Sequence, residues 1–293
     1  MESKLRSLFH DPEYYTKSFH CYAALSAKFS VLANWGETVF GEAVVDKIKV
    51  TLGENEELRV LGIGSGSGEM DMQMLTKLLR RFPLINNRVV EPALDQLVKY
   101  KALAQSEAHD LHGVLTCDWR QQTIDQYEKA GDSRQFHFIS SIHSIYYVDD
   151  VDRSLMYLYD RLDPGGILLV VTVSDDSGFW RLWNHFPSFQ DSLMTFTNSS
   201  HIRGSLERRG IPCTQYHQRS RVEITQCFDE ASEEGALVVD FLTHVVKLKE
   251  TAPAQLYKEV IEYLGSDHCS EKSADDVLFN NDWDAVVVCK PVD

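Results

Sequence analysis

Four glycines at every second position, Gly62, Gly64, Gly66 and Gly68, and a later carboxylate, Glu91, are the residues whose types and spacing could do chemistry. Glycine adopts positive φ and lets a ligand approach the backbone closely. A helix opening at Glu69 would add free N–H donors at the same place. The spacing Gly64-Ser-Gly66-Ser-Gly68 is G-x-G-x-G, whereas the dinucleotide fingerprint is G-x-G-x-x-G, its third glycine packing helix against strand. Glu69 and Asp71 in the first helical turn oppose a pyrophosphate and tolerate a cationic amino acid moiety. A carboxylate at Glu91, ending the next strand, can accept both hydroxyls of a ribose.

These groups need a strand before the turn and a helix after it. Leu58, Val60, Leu61 and Ile63 read as a short buried strand, and the methionines and leucines after Glu69 fall at helical spacing. Strand, glycine turn and helix, closed by Glu91, resemble the S-adenosylmethionine site of class I methyltransferases. A nicotinamide dehydrogenase on a similar sheet is the rival reading, disfavoured by the glycine spacing.

The alternation continues along the chain. Strands are expected at Leu58–Ile63, Arg88–Glu91, Gly113–Cys117, Phe136–Ser140 and Ile167–Val173. Helices are expected at Glu69–Arg80, Leu94–Ala104, Thr123–Ala130 and Val151–Leu162, with a turn at Asp163-Pro-Gly-Gly166. Such βα units imply a parallel sheet with helices on both faces, whose ligands bind at the carboxyl ends of the strands. Before the first strand, Asp11-Pro12 starts a helix that carries Tyr15, Phe19 and Tyr22 on one face, and a second helix covers Gly41–Thr51. After the fifth strand the rhythm breaks. Residues 175–189 hold Phe179, Trp180, Trp183, Phe186 and Phe189 in a segment too aromatic for a plain loop and too irregular for a core helix. A helix over Ser200–Arg209, a strand over Cys213–Thr225, helices over Ala236–Leu248 and Pro253–Leu264, a polar, mobile Ser266–Asp276 and a last strand from Trp283 to Cys289 complete the chain. The reading is one domain over 1–293, with substrate-covering lid pieces at about 1–50, 175–190 and 228–282.

Composition excludes several classes. A net charge of −15 argues against nucleic acid, which requires a basic footprint. Six scattered cysteines lack C-x-x-C spacing, so they indicate neither a zinc site nor a disulfide framework. The sequence has neither a signal-peptide core at its start nor an apolar run long enough for a span, so a soluble cytoplasmic protein is expected. His109 and His112 have metal-like spacing without a completing ligand and read as a solvated loop; no metal is expected.

After the fourth strand come Ile142-His143 and Tyr146-Tyr147. His143 could serve as general base or orienting donor, and the tyrosines as walls for a cationic or aromatic substrate. The place lacks the D/N-P-P-Y/F motif of methyltransferases acting on nucleic acid bases.

Specific blocks narrow the reading. Arg6-Ser-Leu-Phe9, Val89-Val-Glu91-Pro92, Lys99-Tyr100-Lys101, Tyr146-Tyr147-Val148, Asp240-Phe241-Leu242-Thr243 and Val277-Leu-Phe-Asn280-Asn281 resemble the histamine N-methyltransferase family, nearly end to end. The resemblance implies a seven-stranded, mostly parallel Rossmann-like sheet and a monomer. It also implies cofactor contacts at Gly64, Glu91, Gln96, Gln122 (or Thr123) and Ile142. An imidazole-binding aromatic pocket maps to Phe9, Tyr15, Phe19, Tyr146, Tyr147, Phe179, Trp183, Phe189 and Phe241. Three polar residues that hold the substrate in the family, a Glu, a Gln and an Asn, map to Lys28, His143 and Asn281 here. Lysine for glutamate reverses a charge, so a carboxylate-bearing imidazole such as carnosine or histidine is the expected substrate. Histamine is the alternative, followed by another small aromatic amine or a non-catalytic binding role. An unbroken helix from Tyr15 would turn Lys28 away from the Tyr15 face, so its inward placement follows from the resemblance alone.

Overall fold

The structure, a computed structural model, describes residues 5–107, 113–190, 194–273 and 275–292. His109 and His112 lie outside the described residues. The chain divides into two compact units. The larger comprises Leu32–Thr172, Ser199–Tyr216 and Asp284–Asp293; the smaller comprises Met1–Val31, Val173–Asn198 and His217–Trp283.

A seven-stranded sheet dominates. Its strands are β1 (Leu58–Ile63), β2 (Ile85–Val90), β3 (Leu115–Arg120), β4 (Phe136–Ile142), β5 (Leu162–Val173), β6 (Cys213–Gln218) and β10 (Trp283–Cys289), in the order β3-β2-β1-β4-β5-β10-β6. The pairs β1–β2, β1–β4, β2–β3 and β4–β5 are parallel. At one end of β5, Gly165 N–H donates to Lys290 O at 3.0 Å, and beyond its other end Ser174 N–H donates to Asp282 O at 3.1 Å, so β10 runs antiparallel. The chain order reverses between β1 and β4, where open α/β sheets bind ligands. Apolar residues from β1, β4, β5 and β10 and from the helix at Val151–Asp160 form the core beside this sheet.

The helices are α1 (Pro12–Leu25), α2 (Lys28–Thr38), α3 (Phe40–Ala43), α4 (Glu69–Leu79), α5 (Leu94–Ser106), α6 (Ile124–Lys129), α7 (Val151–Asp160), α8 (Gly178–His185), α9 (Ser199–Glu207), α10 (Glu233–Thr243), α11 (Leu248–Thr251) and α12 (Ala254–Leu264). Among the described residues no helix is long and apolar enough to cross a membrane. A second sheet, β7 (Arg221–Glu223), β9 (Asp276–Asn280) and β8 (Ser270–Ser273), lies in the smaller unit.

Several expectations are corrected. The helix expected over Gly41–Thr51 is replaced by α2, the short α3 and a 3-10 turn at Val45–Lys47. Residues 175–189 contain a regular helix, α8, begun by the Ser177 hydroxyl accepting from Trp180 N–H at 3.1 Å. The strand expected over Cys213–Thr225 breaks between β6 and β7. There Ser220 N–H turns to the Asp282 carboxylate at 2.7 Å. Ser266–Asp276 holds an edge strand, β8, paired antiparallel with β9. The Asp163–Gly166 turn is absorbed into the irregular start of β5, where Gly165 takes φ +79° and an added Cβ would lie 2.9 Å from Lys49 O.

Candidate functional site

The glycine turn, at the β1 end of the larger unit, is held from several sides. Gly64, Gly66 and Gly68 take φ +63°, +55° and +89°, conformations that side chains with a Cβ rarely adopt. A Cβ on Gly64 would collide with Ser144, whose hydroxyl donates to Ile63 O at 2.7 Å and shares a hydrogen bond with Ser141. A Cβ on Gly68 would strike the Tyr100 ring. At Gly66 an added Cβ meets nothing within 4 Å, so the apex of the turn is open to a ligand.

Glu91 follows β2 and closes the turn. Its Oε2 accepts Gly66 N–H and its Oε1 accepts Ala93 N–H, each at 2.8 Å. Burial raises its carboxyl above the usual range, and the two N–H donors pull it back down. Asp71 corrects an expectation. It lies buried beneath the turn, where burial pushes its carboxyl up to about 6 against the opposing hydroxyls of Ser65 and Tyr100. Of the expected acidic pair, Glu69 alone is exposed at the helix start, where its carboxylate accepts the Ser67 hydroxyl at 2.6 Å.

The other expected cofactor residues stand just beyond the carboxyl ends of neighbouring strands. Gln96, in the first turns of α5, is half-buried and donates to Asp95 at 2.9 Å. Thr123 caps α6, accepting Gln126 N–H at 3.2 Å while Gln126 Oε1 accepts Thr123 N–H at 2.9 Å. That capping box engages the Thr123 side chain, and Gln122 beside it is half-buried. Ile142 ends β4, paired with Val171. His143 follows with φ +51°, its N–H donating to Val171 O at 2.8 Å. Tyr146 and Tyr147 meet edge to face, with centroids 4.6 Å apart.

The smaller unit gathers most of the remaining expected residues. Phe9 stacks on Tyr15 (5.7 Å), Tyr15 on Phe19 (6.2 Å), and Phe241 on Tyr22 (4.3 Å), with Phe241 also 5.7 Å from Phe19. Phe179 lies 5.2 Å from Trp183 and 6.0 Å from Tyr22. Trp183 donates its indole N–H to Leu242 O at 3.0 Å. Phe189 stands apart, stacking on Phe186, which packs against Tyr263.

His244 is the residue that sequence reasoning missed. The helix expected over Ala236–Leu248 stops at Thr243, and His244 turns left-handed at φ +57°. Its ring lies 5.2 Å from Phe9, 5.6 Å from Phe241 and 6.0 Å from Trp183. Asp240 builds this corner by accepting Lys247 N–H, Leu248 N–H and the Tyr14 hydroxyl at 3.0, 2.9 and 2.6 Å.

Lys28 is placed by a helix break. α1 ends at Leu25, Ser26 is extended, and α2 begins at Lys28, so the helical-face objection to its placement does not apply. Lys28 N–H donates to Ser26 Oγ at 3.1 Å, and Asn281 Nδ2 donates to the same hydroxyl at 3.1 Å and to Tyr22 Oη at 2.9 Å. Both of these bonds are made by the Asn281 amide nitrogen. Among the described residues no carboxylate pairs with Lys28 Nζ, which lies 5.8 Å from the Phe29 ring centroid. Burial lowers its ammonium to about 7.

Asp176, His217 and Asp282 bring potential ligand atoms within 4.8 Å of one another. Arg221 already meets Asp282 at 2.5 Å and supplies positive charge there.

A family model described as a methyltransferase domain matches residues 36–216. Histamine N-methyltransferase of Xenopus tropicalis is 34% identical over 98% of this chain and 99% of its own length. The Mus musculus enzyme of the same name is 32% identical, again over 98% of this chain and 99% of its own length. Among solved structures, the YcgJ protein of Bacillus subtilis superposes with a TM-score of 0.55 at 16% identity, covering 84% of this chain and 96% of that one, a likeness of fold.

Proposed function

Since the chain belongs to the histamine N-methyltransferase family and is an S-adenosylmethionine-dependent methyltransferase, we propose that it methylates a ring nitrogen of a small imidazole. Histamine is the acceptor that the relatives' name suggests. The observation that carries the reading is the aromatic set of the smaller unit, in which Phe9, Phe241 and Trp183 surround the imidazole of His244 at 5.2, 5.6 and 6.0 Å. Clustered aromatic faces of this kind offer apolar, π-faced walls to a flat aromatic ring such as an imidazole.

The residues fit the cofactor. The open apex at Gly66 and the Glu91 carboxylate would hold it, and Gln96, Gln122 and Ile142 are assigned further contacts. When bound, S-adenosylmethionine supplies an activated methyl group on a sulfonium. The protein's part is alignment, because a neutral imidazole nitrogen is already a competent nucleophile near neutral pH. Aromatic walls stabilise the charge that the ring acquires. We assign ring orientation to the Asn281 carbonyl oxygen and acceptance of the released proton to His143.

Lys28 supports a second reading, an acceptor that carries a carboxylate, such as carnosine or histidine. A desolvated ammonium with no carboxylate of its own among the described residues, hydrogen-bonded through its backbone into the Ser26–Asn281 corner, suits an anionic group on the ligand. The reading includes a free small-molecule substrate rather than nucleic acid, in keeping with the −15 charge. It also includes a monomer in the cytoplasm, where six unpaired cysteines are at home.

NMR of the product tests the assignment. A methyl resonance coupled to the imidazole ring supports it, and a methyl on a side-chain amine, or none on any imidazole, overturns it.

A further inference from the structure

Asp71 is a buried carboxylate for which methyl transfer has no direct use, and it sits under the turn proposed to take the cofactor. Gly62 explains how it fits there. A Cβ on Gly62 would lie 2.5 Å from both Asp71 Oδ2 and Ser65 Oγ, so the missing side chain on β1 is the space that this carboxylate and hydroxyl fill. Tyr100, fully buried on α5, donates its hydroxyl to Asp71 Oδ2 at 3.3 Å and itself accepts from Asn87 Nδ2 at 3.2 Å. The face of the same tyrosine ring leaves no room for a Cβ at Gly68. The turn is thus gripped twice. Glu91 holds the Gly66 backbone from the β2 side, and the Asp71–Tyr100 pair packs against Gly62 and Gly68 from below.

We propose that Asp71 is a positioning residue for the cofactor, and that its ionised form holds the glycine turn in the shape that binds. An ionised carboxylate accepts the Tyr100 hydroxyl through a charge-assisted bond, with Ser65 packed beside it in the space left at Gly62; protonation removes that charge and leaves a weaker acceptor. The groups facing it are Ser65 of the turn, Glu91 after β2, Tyr100 of α5 and Cys117 of β3, with Glu69 on its own helix. Cys117 and Tyr100 are both raised by burial and stay protonated through the neutral range. Burial also raises Glu91. Asp71 itself lies at about 6, so the switch falls between pH 5 and 7.5.

The inference rests on the assignment of the cofactor to this turn, and the experiment separates the two. S-adenosylhomocysteine affinity is measured by calorimetry at pH 5 and pH 7.5 for the wild type, Asp71→Asn and Tyr100→Phe. Asp71→Asn also removes the charge that couples Asp71 to Glu91, whereas Tyr100→Phe keeps both carboxylates, so the pH dependence that the two variants share is the one assigned to Asp71. Asp71→Asn is expected to bind about tenfold more weakly than wild type at pH 7.5 and equally at pH 5, where the wild-type carboxyl is itself protonated. Tyr100→Phe, which removes the hydroxyl donated to Asp71 and keeps the ring against Gly68, should lose several-fold at pH 7.5 and nothing at pH 5, and it serves alone if Asp71→Asn does not fold. Curves that stay parallel across the pH range, or that coincide throughout, would reduce Asp71 to a buried packing residue and overturn the proposal. Wild-type protein that binds no S-adenosylhomocysteine at either pH would instead overturn the cofactor assignment beneath it.

Discussion

The carboxylate of Glu91 reaches from the end of β2 to the apex of the turn that ends β1, its Oε2 accepting the Gly66 N–H at 2.8 Å. With Ala93 N–H on the other oxygen, each oxygen keeps a lone pair for a ribose hydroxyl. Charge-assisted hydrogen bonds of this kind are worth ~1.5–3 kcal/mol each, and tenfold in affinity is about 1.4 kcal/mol. Glu91→Ala should therefore weaken S-adenosylhomocysteine by roughly ten- to a hundredfold, with circular dichroism unchanged. Equal affinity in calorimetry would move the cofactor elsewhere.

Trp183 is proposed to wall the acceptor. Its indole packs against Phe179 and His244 and donates to Leu242 O. Trp183→Ala should lower kcat/KM by about ten- to a hundredfold, the scale of a lost ring worth ~2–3 kcal/mol, while cofactor affinity stays within a few-fold. Trp183→Phe, which keeps a ring, should recover much of the loss. A Trp183→Ala variant that loses cofactor affinity and melting temperature together would mark the residue as core.

Lys28 carries a prediction that needs no substrate. Burial lowers its ammonium from 10.5 to about 7 in the folded chain. A depressed folded value means that stability is fully present above the unfolded value and is lost as pH falls through the folded one. Lys28→Met should therefore raise the melting temperature most at pH 6, less at pH 8, and not at all by pH 10.5. A gain that is the same at every pH would place the ammonium in solvent.

In the proposal of a carboxylate-bearing acceptor, the same lysine sets the choice between acceptors. A desolvated, hydrogen-bonded charge pair is worth ~1.5–3 kcal/mol, so Lys28→Glu should shift the carnosine-to-histamine ratio of kcat/KM toward histamine by one to two orders of magnitude. A ratio that does not move would remove Lys28 from the substrate's surroundings and leave histamine as the reading.

What could be read from the sequence was local. β1, the turn and α4 follow from an apolar alternation, four glycines and a helical repeat within one short stretch, and each end falls within a residue of its expected place. The break before Lys28 was not legible, because distant residues make it. Ser26 bridges Val222, Ala27 N–H donates to Arg221 O, and Asn281, 255 positions away, reaches the Ser26 hydroxyl. The His244 corner hides for the same reason, since its helical pattern runs on until Asp240 turns back to cap Lys247 and Leu248. Asp71 looked like an exposed first-turn acid because its partner Tyr100 is 29 residues away. β8 is polar, with Glu271, Lys272 and Ser273 exposed, so it shows no apolar alternation to read.

Labelled methyl transfer from S-adenosylmethionine to a panel of histamine, carnosine, histidine and non-imidazole arylalkylamines tests the central claim most directly. The account predicts turnover on at least one imidazole, with label on its ring nitrogen, and far lower rates on every amine that lacks the ring. Protein that binds S-adenosylhomocysteine yet methylates no imidazole, or that prefers a non-imidazole amine, would contradict it.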